Sequence, residues 1–303
     1  MLGFFLLLRQ MSETEHEIES QPASWRRAGQ LAESVSETLT APGERIAYIG
    51  CGTSWFVAQA IAAERELLGI GESDALCASE ARLGGRAYDR VVALSRSGTT
   101  TEVLRSLAEA QPRSHTVAIT AVPDAPIAAL ARETVVLEFA DERSVVQTRF
   151  ATTTLALLRA CLGGDVERAA YDAEGVLASA LPLDPTAFDR LIFLGAGACF
   201  GLANEAALKV REASQSWCEA YPSMEYRHGP IAVADPDTLV MLFGEAPDGL
   251  LDEIAATGAT VLASELDPLA QLVQAQRFAV ALAAARNLDV DHPRNLTRSI
   301  VLP

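Results

Sequence analysis

Two hydrophobic patterns alternate along this chain. Short continuous apolar runs, such as Arg45-Ile-Ala-Tyr-Ile-Gly-Cys-Gly52, Arg90-Val-Val-Ala-Leu94 and Val117-Ala-Ile-Thr120, read as strands buried on both faces. Longer stretches carry apolar residues every three or four positions: Trp55 to Leu68, Glu102 to Ala110, Leu202 to Ser216 and Gly249 to Ala256. Those read as helices. A polar, helix-patterned segment from Ser12 to Thr40 precedes the first strand, and an irregular segment follows Ala285. Strand–helix alternation of this kind predicts parallel sheets covered by helices.

The pattern occurs twice. Arg45 to Gly52 matches Arg190-Leu-Ile-Phe-Leu-Gly-Ala-Gly197 at an offset of 145. Val117 to Thr120 matches Val261-Leu-Ala-Ser264 at 144, and Val91 to Leu94 matches Leu239 to Leu242 at roughly the same spacing. A period this long is no solenoid repeat. It predicts a duplicated α/β domain, with the boundary between Gly163 and Pro185. The copies differ after their second strand. The first half has Ser95-Arg-Ser-Gly-Thr-Thr100, and the second has Phe243-Gly-Glu-Ala-Pro247.

Composition narrows the partners. A net charge of −16 argues against a nucleic-acid or anionic-membrane surface. The five cysteines are odd in number and widely spaced, which favours a reducing cytoplasm over a disulfide framework. The four histidines form no metal-ligand spacing, so no metal is expected, and no motif calls for another cofactor. Leu2 to Leu8 is apolar but too short to span a bilayer. The first ten residues read as an upstream extension or a misplaced start.

Candidate chemistry lies at two places. The turn from Ser95 to Thr100 joins a strand to a helix, so its hydroxyls meet the free N–H groups and positive end of a helix dipole. A strong N-cap and an anion site are both consistent with that window alone. Gly50-Cys-Gly52, followed by Thr53 and Ser54, and Gly195-Ala-Gly197 lack the third glycine of a dinucleotide fingerprint. Cys51 between its glycines reads as a small buried thiol. Farther on, Glu205, Lys209 and Glu212 share one helical face. A solvated ion-pair stripe is the common explanation of such spacing. The alternative is a general base, because this helix starts at Gly195-Ala-Gly197 and its first turns should lie near a pocket. His228 stands in a Pro- and Gly-flanked loop, where it is available for chemistry.

These segments together resemble the double-domain sugar isomerase (SIS) family, most closely the isomerase half of glucosamine-6-phosphate synthases. Gly50 to Ser54 and Ser95 to Thr100 resemble its phosphate-sugar turns. Glu142-Arg-Ser-Val-Val-Gln-Thr-Arg149 resembles its pocket-closing segment. Ala207 to Glu212 and Glu219 to Pro230 resemble its catalytic helix and histidine loop, and Asp291 to Val301 its tail. Met11 with Glu17-Ile-x-x-Gln-Pro22 resembles the start of that half, which favours Met11 as the natural start. The resemblance implies two tandem doubly wound, flavodoxin-like α/β domains. They would cover residues 45–165 and 166–290, after an extension and helix over 1–44 and before a tail over 291–303.

By the same resemblance, Ser95, Arg96, Ser97, Thr100 and Arg298 bind phosphate and sugar, with Thr53 and Ser54 near the sugar and Val145 and Gln147 lining it. Glu212 is the base, supported by Lys209. His228 assists ring opening in the neighbouring subunit's site of a homodimer. The implied activity is isomerisation of a hexose or amino-sugar 6-phosphate, with or without deamination. Cleavage of a phosphorylated sugar–amino-acid conjugate and non-catalytic sensing of a sugar phosphate are the alternatives. One departure matters. The tail lysine that forms an imine in such synthases is Arg298 here, a poor nucleophile.

Overall fold

The computed structural model describes residues 11–302. Residues 1–10, read above as an extension or misplaced start, lie outside the described residues. The first half runs α1 (Glu13–Glu19), α2 (Gln21–Thr40), β1 (Ile46–Gly50), α3 (Thr53–Leu67), β2 (Ser73–Cys77), β3 (Arg90–Leu94), α4 (Thr101–Ala110), β4 (His115–Thr120), α5 (Pro126–Leu130), β5 (Glu133–Val136) and α6 (Arg149–Cys161). After α7 (Val166–Ala178) the second half runs β6 (Arg190–Gly195), α8 (Ala198–Ser214), β7 (Cys218–Pro222), β8 (Thr238–Phe243), α9 (Leu250–Ala256), β9 (Thr260–Leu262) and α10 (Pro268–Ala285).

All strand pairs are parallel, in the orders β2-β1-β3-β4-β5 and β7-β6-β8-β9. The two sheets make a tandem pair of parallel α/β domains. Their central strands β1, β3 and β8 are buried throughout, because helices cover both faces. The duplication reaches backbone detail. Gly52 and Gly197 adopt φ 54°, ψ −126° and φ 54°, ψ −125°, a conformation that disfavours any Cβ. Each opens the helix that follows the first strand of its half.

One expectation is corrected in the N-terminal region. The single helix over 12–40 is two helices broken at Ser20, whose N–H closes the first onto His16. Pro22 follows in the first turn of α2, where its missing N–H does no harm. The short α1 is held from far away: the Asp291 carboxylate accepts the N–H groups of Glu13 and Thr14 at 2.9 and 2.8 Å.

The main core lies between the sheets and is shared by both halves, with Trp25, Ile61, Phe150, Leu202 and Phe278 in it. Helices α3 and α8 cross there in opposite directions. Gly201 lies against the backbone of Phe56 and Ala60, Asn204 donates to Gln59 at 2.9 Å, and Lys209 reaches Thr53. A Cβ at Gly201 would come within 2.6 Å of backbone atoms of α3. Gly201→Val should therefore cost about 1–3 kcal/mol by forcing the helices apart. Urea unfolding tests this, and an unchanged midpoint would show that the contact is dispensable.

Candidate active site

The C-terminal edge of the first sheet gathers the candidate groups. Strand order reverses between β1 and β3, and a crevice beyond the strand ends at such a point is where open α/β sheets bind ligands. Thr53 and Ser54 follow β1, and Ser95 follows β3, so the two turns flank this point. Ser95 Oγ lies 3.5 Å from Thr100 Oγ1 and accepts the Gly98 N–H. Ser97 and Thr99 hydroxyls bond each other at 2.9 Å.

Arg96, between these serines, turns away from them. Its buried guanidinium donates to the carbonyls of Ser144 (3.1 Å), Val145 (3.3 Å) and Arg298 (3.1 Å), and lies 3.5 Å from Glu142. Glu142 is itself buried, and its other oxygen accepts the N–H groups of Thr148 and Arg149 at 2.6 and 2.7 Å. Glu17 of α1 accepts the Arg143 N–H at 2.6 Å and also the Ser144 hydroxyl. Two buried carboxylates thus shape the 142–149 segment. Val145 is half-buried there, and the side-chain oxygen of Gln147 is buried without a hydrogen-bond partner.

The antiparallel crossing of α8 on α3 brings a different part of α8 here than its start suggested. Its last turns, not its first, reach this edge. The Lys209 ammonium meets Thr53 Oγ1 at 3.0 Å, Glu212 at 2.5 Å and Glu205 at 3.4 Å. Glu205 and Lys209 are each 1% exposed, so the solvated-stripe reading does not hold. Burial works against the Lys209 ammonium, yet Glu205 and Glu212 more than offset it and hold its pKa above the ordinary lysine value. Burial pushes Glu205 up to about 7, with Lys209 opposing and Glu212 adding to the rise. Glu212 is half-buried, on the wall of a cavity of about 430 Å³ shared with Arg211, Trp217, Arg294 and Leu296. The tail runs from that cavity to Ser97, where Ser299 meets the loop.

Other candidates lie apart. His228 is exposed at the end of a short 3-10 turn beyond β7, and its imidazole has no hydrogen bond or ion pair to a described residue. Arg298 is fixed by the Asp141 carboxylate at 2.5 Å and by the Glu142 carbonyl. Cys51, read as a buried thiol, is only half-buried, and partial burial raises its thiol to about 11. Among the described residues no cluster of His, Cys, Asp or Glu could hold a metal ion. None of the described helices is long and apolar enough to cross a membrane. At the corresponding point of the second half, the Gly244 N–H is taken by the Gln271 side chain at 3.0 Å. Sequence reasoning did not single out Glu205 as buried, Ser299, or the turning of Arg96; the Glu-x-x-x-Lys spacing was the available signal for the first.

A model of the SIS domain matches residues 39–162 and 187–256, more than half of the chain. The chain belongs to the SIS domain family. It is 30% identical to the glutamine–fructose-6-phosphate aminotransferase (isomerizing) of Xylella fastidiosa, over 90% of this chain and 54% of that protein. This SIS chain therefore spans about half the length of the curated relatives it matches. Among solved structures it resembles the glucosamine-6-phosphate deaminase of Thermotoga maritima, with TM-score 0.79 and 26% identity over 96% of this chain and all of that one. It shares its fold with the tagatose-6-phosphate ketose/aldose isomerase of Escherichia coli, with TM-score 0.78 and 21% identity over 96% and 97% of the two chains.

The buried trio also predicts a pH dependence. A carboxyl whose folded pKa exceeds its unfolded value, here about 7 against 4.5, holds its proton more tightly when folded. Its contribution is complete below the unfolded value and is lost as pH rises through the folded one. Between pH 4.5 and 7 the wild-type urea midpoint should fall relative to that of Glu205→Gln. Parallel curves would contradict the assignment.

Proposed function

We propose that this SIS chain is a phosphosugar isomerase acting on a hexose or amino-sugar 6-phosphate, with Glu212 as the base. The observation that carries this reading is the placement of Glu212. An otherwise uncommitted carboxylate edge faces a cavity, its other oxygen is held by a buried ammonium, and a hydroxyl-rich turn occupies the same sheet edge. Phosphate held by Ser95, Ser97 and Thr100 would orient the sugar, so binding energy far from the reacting carbons serves the reaction. Thr53, Ser54, Val145 and Gln147 line the sugar. The unpartnered Gln147 oxygen suits a sugar hydroxyl.

In the open chain, Glu212 takes the proton from the carbon beside the carbonyl and returns it to the neighbouring carbon through an enediol. Lys209 keeps Glu212 in place and steadies its charge. When the second carbon bears an amine, the same proton transfer gives a ketimine. Water hydrolyses it to the ketose phosphate and ammonia. The Thermotoga relative is named as a deaminase of this kind. His228 opens the ring across the interface of a homodimer, which accords with its exposure and with an imidazole that has no partner among the described residues. Arg96 and Arg298 act as positioning residues, since both guanidiniums are engaged with the protein.

An imine route for direct amination finds little support. Lys209 is the one lysine of the sequence, and its three donors all face Thr53, Glu205 and Glu212. A second reading, cleavage of a phosphorylated sugar–amino-acid conjugate, is favoured by the cavity beside Glu212. Arg294 in its wall could receive the carboxylate of such a conjugate.

Glucosamine 6-phosphate, galactosamine 6-phosphate, fructose 6-phosphate with ammonia, and glycated amino-acid phosphates, scored for ammonia and for sugar product, decide among these. Glu212→Gln should lower turnover about a thousandfold while sugar-phosphate binding persists. Full activity in that variant would remove Glu212 from the mechanism. Treatment with fructose 6-phosphate and cyanoborohydride should leave Lys209 unmodified by mass spectrometry. A substrate-derived adduct there would restore the imine route.

A further inference from the structure

The tail places a fifth hydroxyl on the turn that carries Ser95, Ser97, Thr99 and Thr100. Ser299 Oγ lies 3.1 Å from Ser97 Oγ and 2.9 Å from Thr99 Oγ1, and those two are 2.9 Å apart. The three oxygens form a nearly equilateral triangle. Ser97 donates to Ser299 and Thr99 donates to Ser97, so a donation from Ser299 to Thr99 closes a ring. All three residues are half-buried, so the ring is not sealed inside the protein.

The ring's geometry suits one anionic oxygen. An oxygen about 2.8 Å from each corner, the usual O–H···O length, sits about 2.2 Å above the plane of such a triangle. Rotation of three hydroxyl hydrogens would satisfy it, with no heavy atom displaced. Hydrogen bonds to an ionised acceptor are roughly twice as strong as those within a neutral ring, so the exchange favours the anion.

The tail is anchored well enough to hold Ser299 there. The Thr101 N–H donates to the Ile300 carbonyl at 3.1 Å, and the Leu302 N–H to Thr101 Oγ1 at 2.9 Å. Arg96 holds the Arg298 carbonyl, and Arg298 holds Asp141. These links pin the segment on both sides of Ser299. A phosphate entering the loop therefore meets the serine in place.

We infer that Ser299 is a ligand of the phosphate site: with Ser97 and Thr99 it forms a tripod for one phosphoryl oxygen, so phosphate binding tightens the tail onto the loop. The ligand class is a phosphate monoester dianion. The tripod contains no charged side chain, and all its selectivity comes from three convergent donors. The inference rests on the phosphate reading of the 95–100 turn and adds a residue from the opposite end of the chain.

Calorimetric titration of the full chain with inorganic phosphate tests it, beside Ser299→Ala and Ser95→Ala. Ser299→Ala should weaken phosphate binding about tenfold or more, as expected for one lost hydrogen bond to a charged acceptor. In the wild type, phosphate should slow amide hydrogen exchange over residues 298–302 and at Thr101. An unphosphorylated hexitol should not. Unchanged or tighter binding by Ser299→Ala, or faster tail exchange with phosphate, overturns the tripod and makes the tail a bystander or a competitor. If phosphate binds the wild type and Ser95→Ala weakens it while Ser299→Ala does not, only the tripod falls. Failure of the wild type to bind either phosphate or glucose 6-phosphate overturns the phosphate reading and the tripod together.

Discussion

The candidate site depends on one buried guanidinium. Arg96 lies inside a hydroxyl-rich turn, yet its donors go to carbonyls of the 142–149 segment and of the tail. A planar fork with fixed donors is suited to holding several backbone segments at once, as a lysine ammonium would not be. Glu142 balances its charge from 3.5 Å while also ordering the start of α6. Breaking such a buried arrangement leaves an uncompensated charge, which is why removal of one partner costs more than the pair contributes. Through Arg96 the 95–100 turn, the 142–149 segment and the tail are positioned together. The N-terminal helix joins them through Glu17 and through Asp291.

The second constraint is the crossing of α3 and α8. Because Gly201 lets the helices touch, Lys209 emerges beside Thr53, at the edge of the other sheet. The proposed base thus comes from the second half and the proposed phosphate turn from the first. The duplicated fold uses its symmetry unevenly. The first half keeps an open turn, and the second closes its equivalent with Gln271 and sends a helix across to serve its neighbour. Burial raises the Glu205 carboxyl to about 7, while Lys209 next to it opposes the rise.

Much of this was legible along the chain. The central strands β1, β3, β4, β6 and β8 show as apolar runs because both their faces are covered, and the paired glycines betray the duplication. Strands β2, β5 and β7 stand at sheet edges and are only partly buried, so their residues carry no such run. The direction in which α8 crosses α3 is a long-range packing fact that helical spacing does not encode. The spacing of Glu205, Lys209 and Glu212 identified a face, and burial of that face depended on a glycine contact with another helix. Ser299 lies about two hundred residues from the loop it completes. Arg96 carries no local sign that it points inward.

In the proposed mechanism, phosphate on the turn after β3 delivers the reacting carbons to Glu212. A crystal structure with an unreactive open-chain hexitol 6-phosphate tests it most directly. The phosphate should lie on the hydroxyls of Ser95, Ser97 and Thr100, with the first two carbons within hydrogen-bond reach of the Glu212 carboxylate. A phosphate seated instead at the Gly195 to Gly197 turn, or a ligand whose first two carbons point away from Glu212, would contradict it.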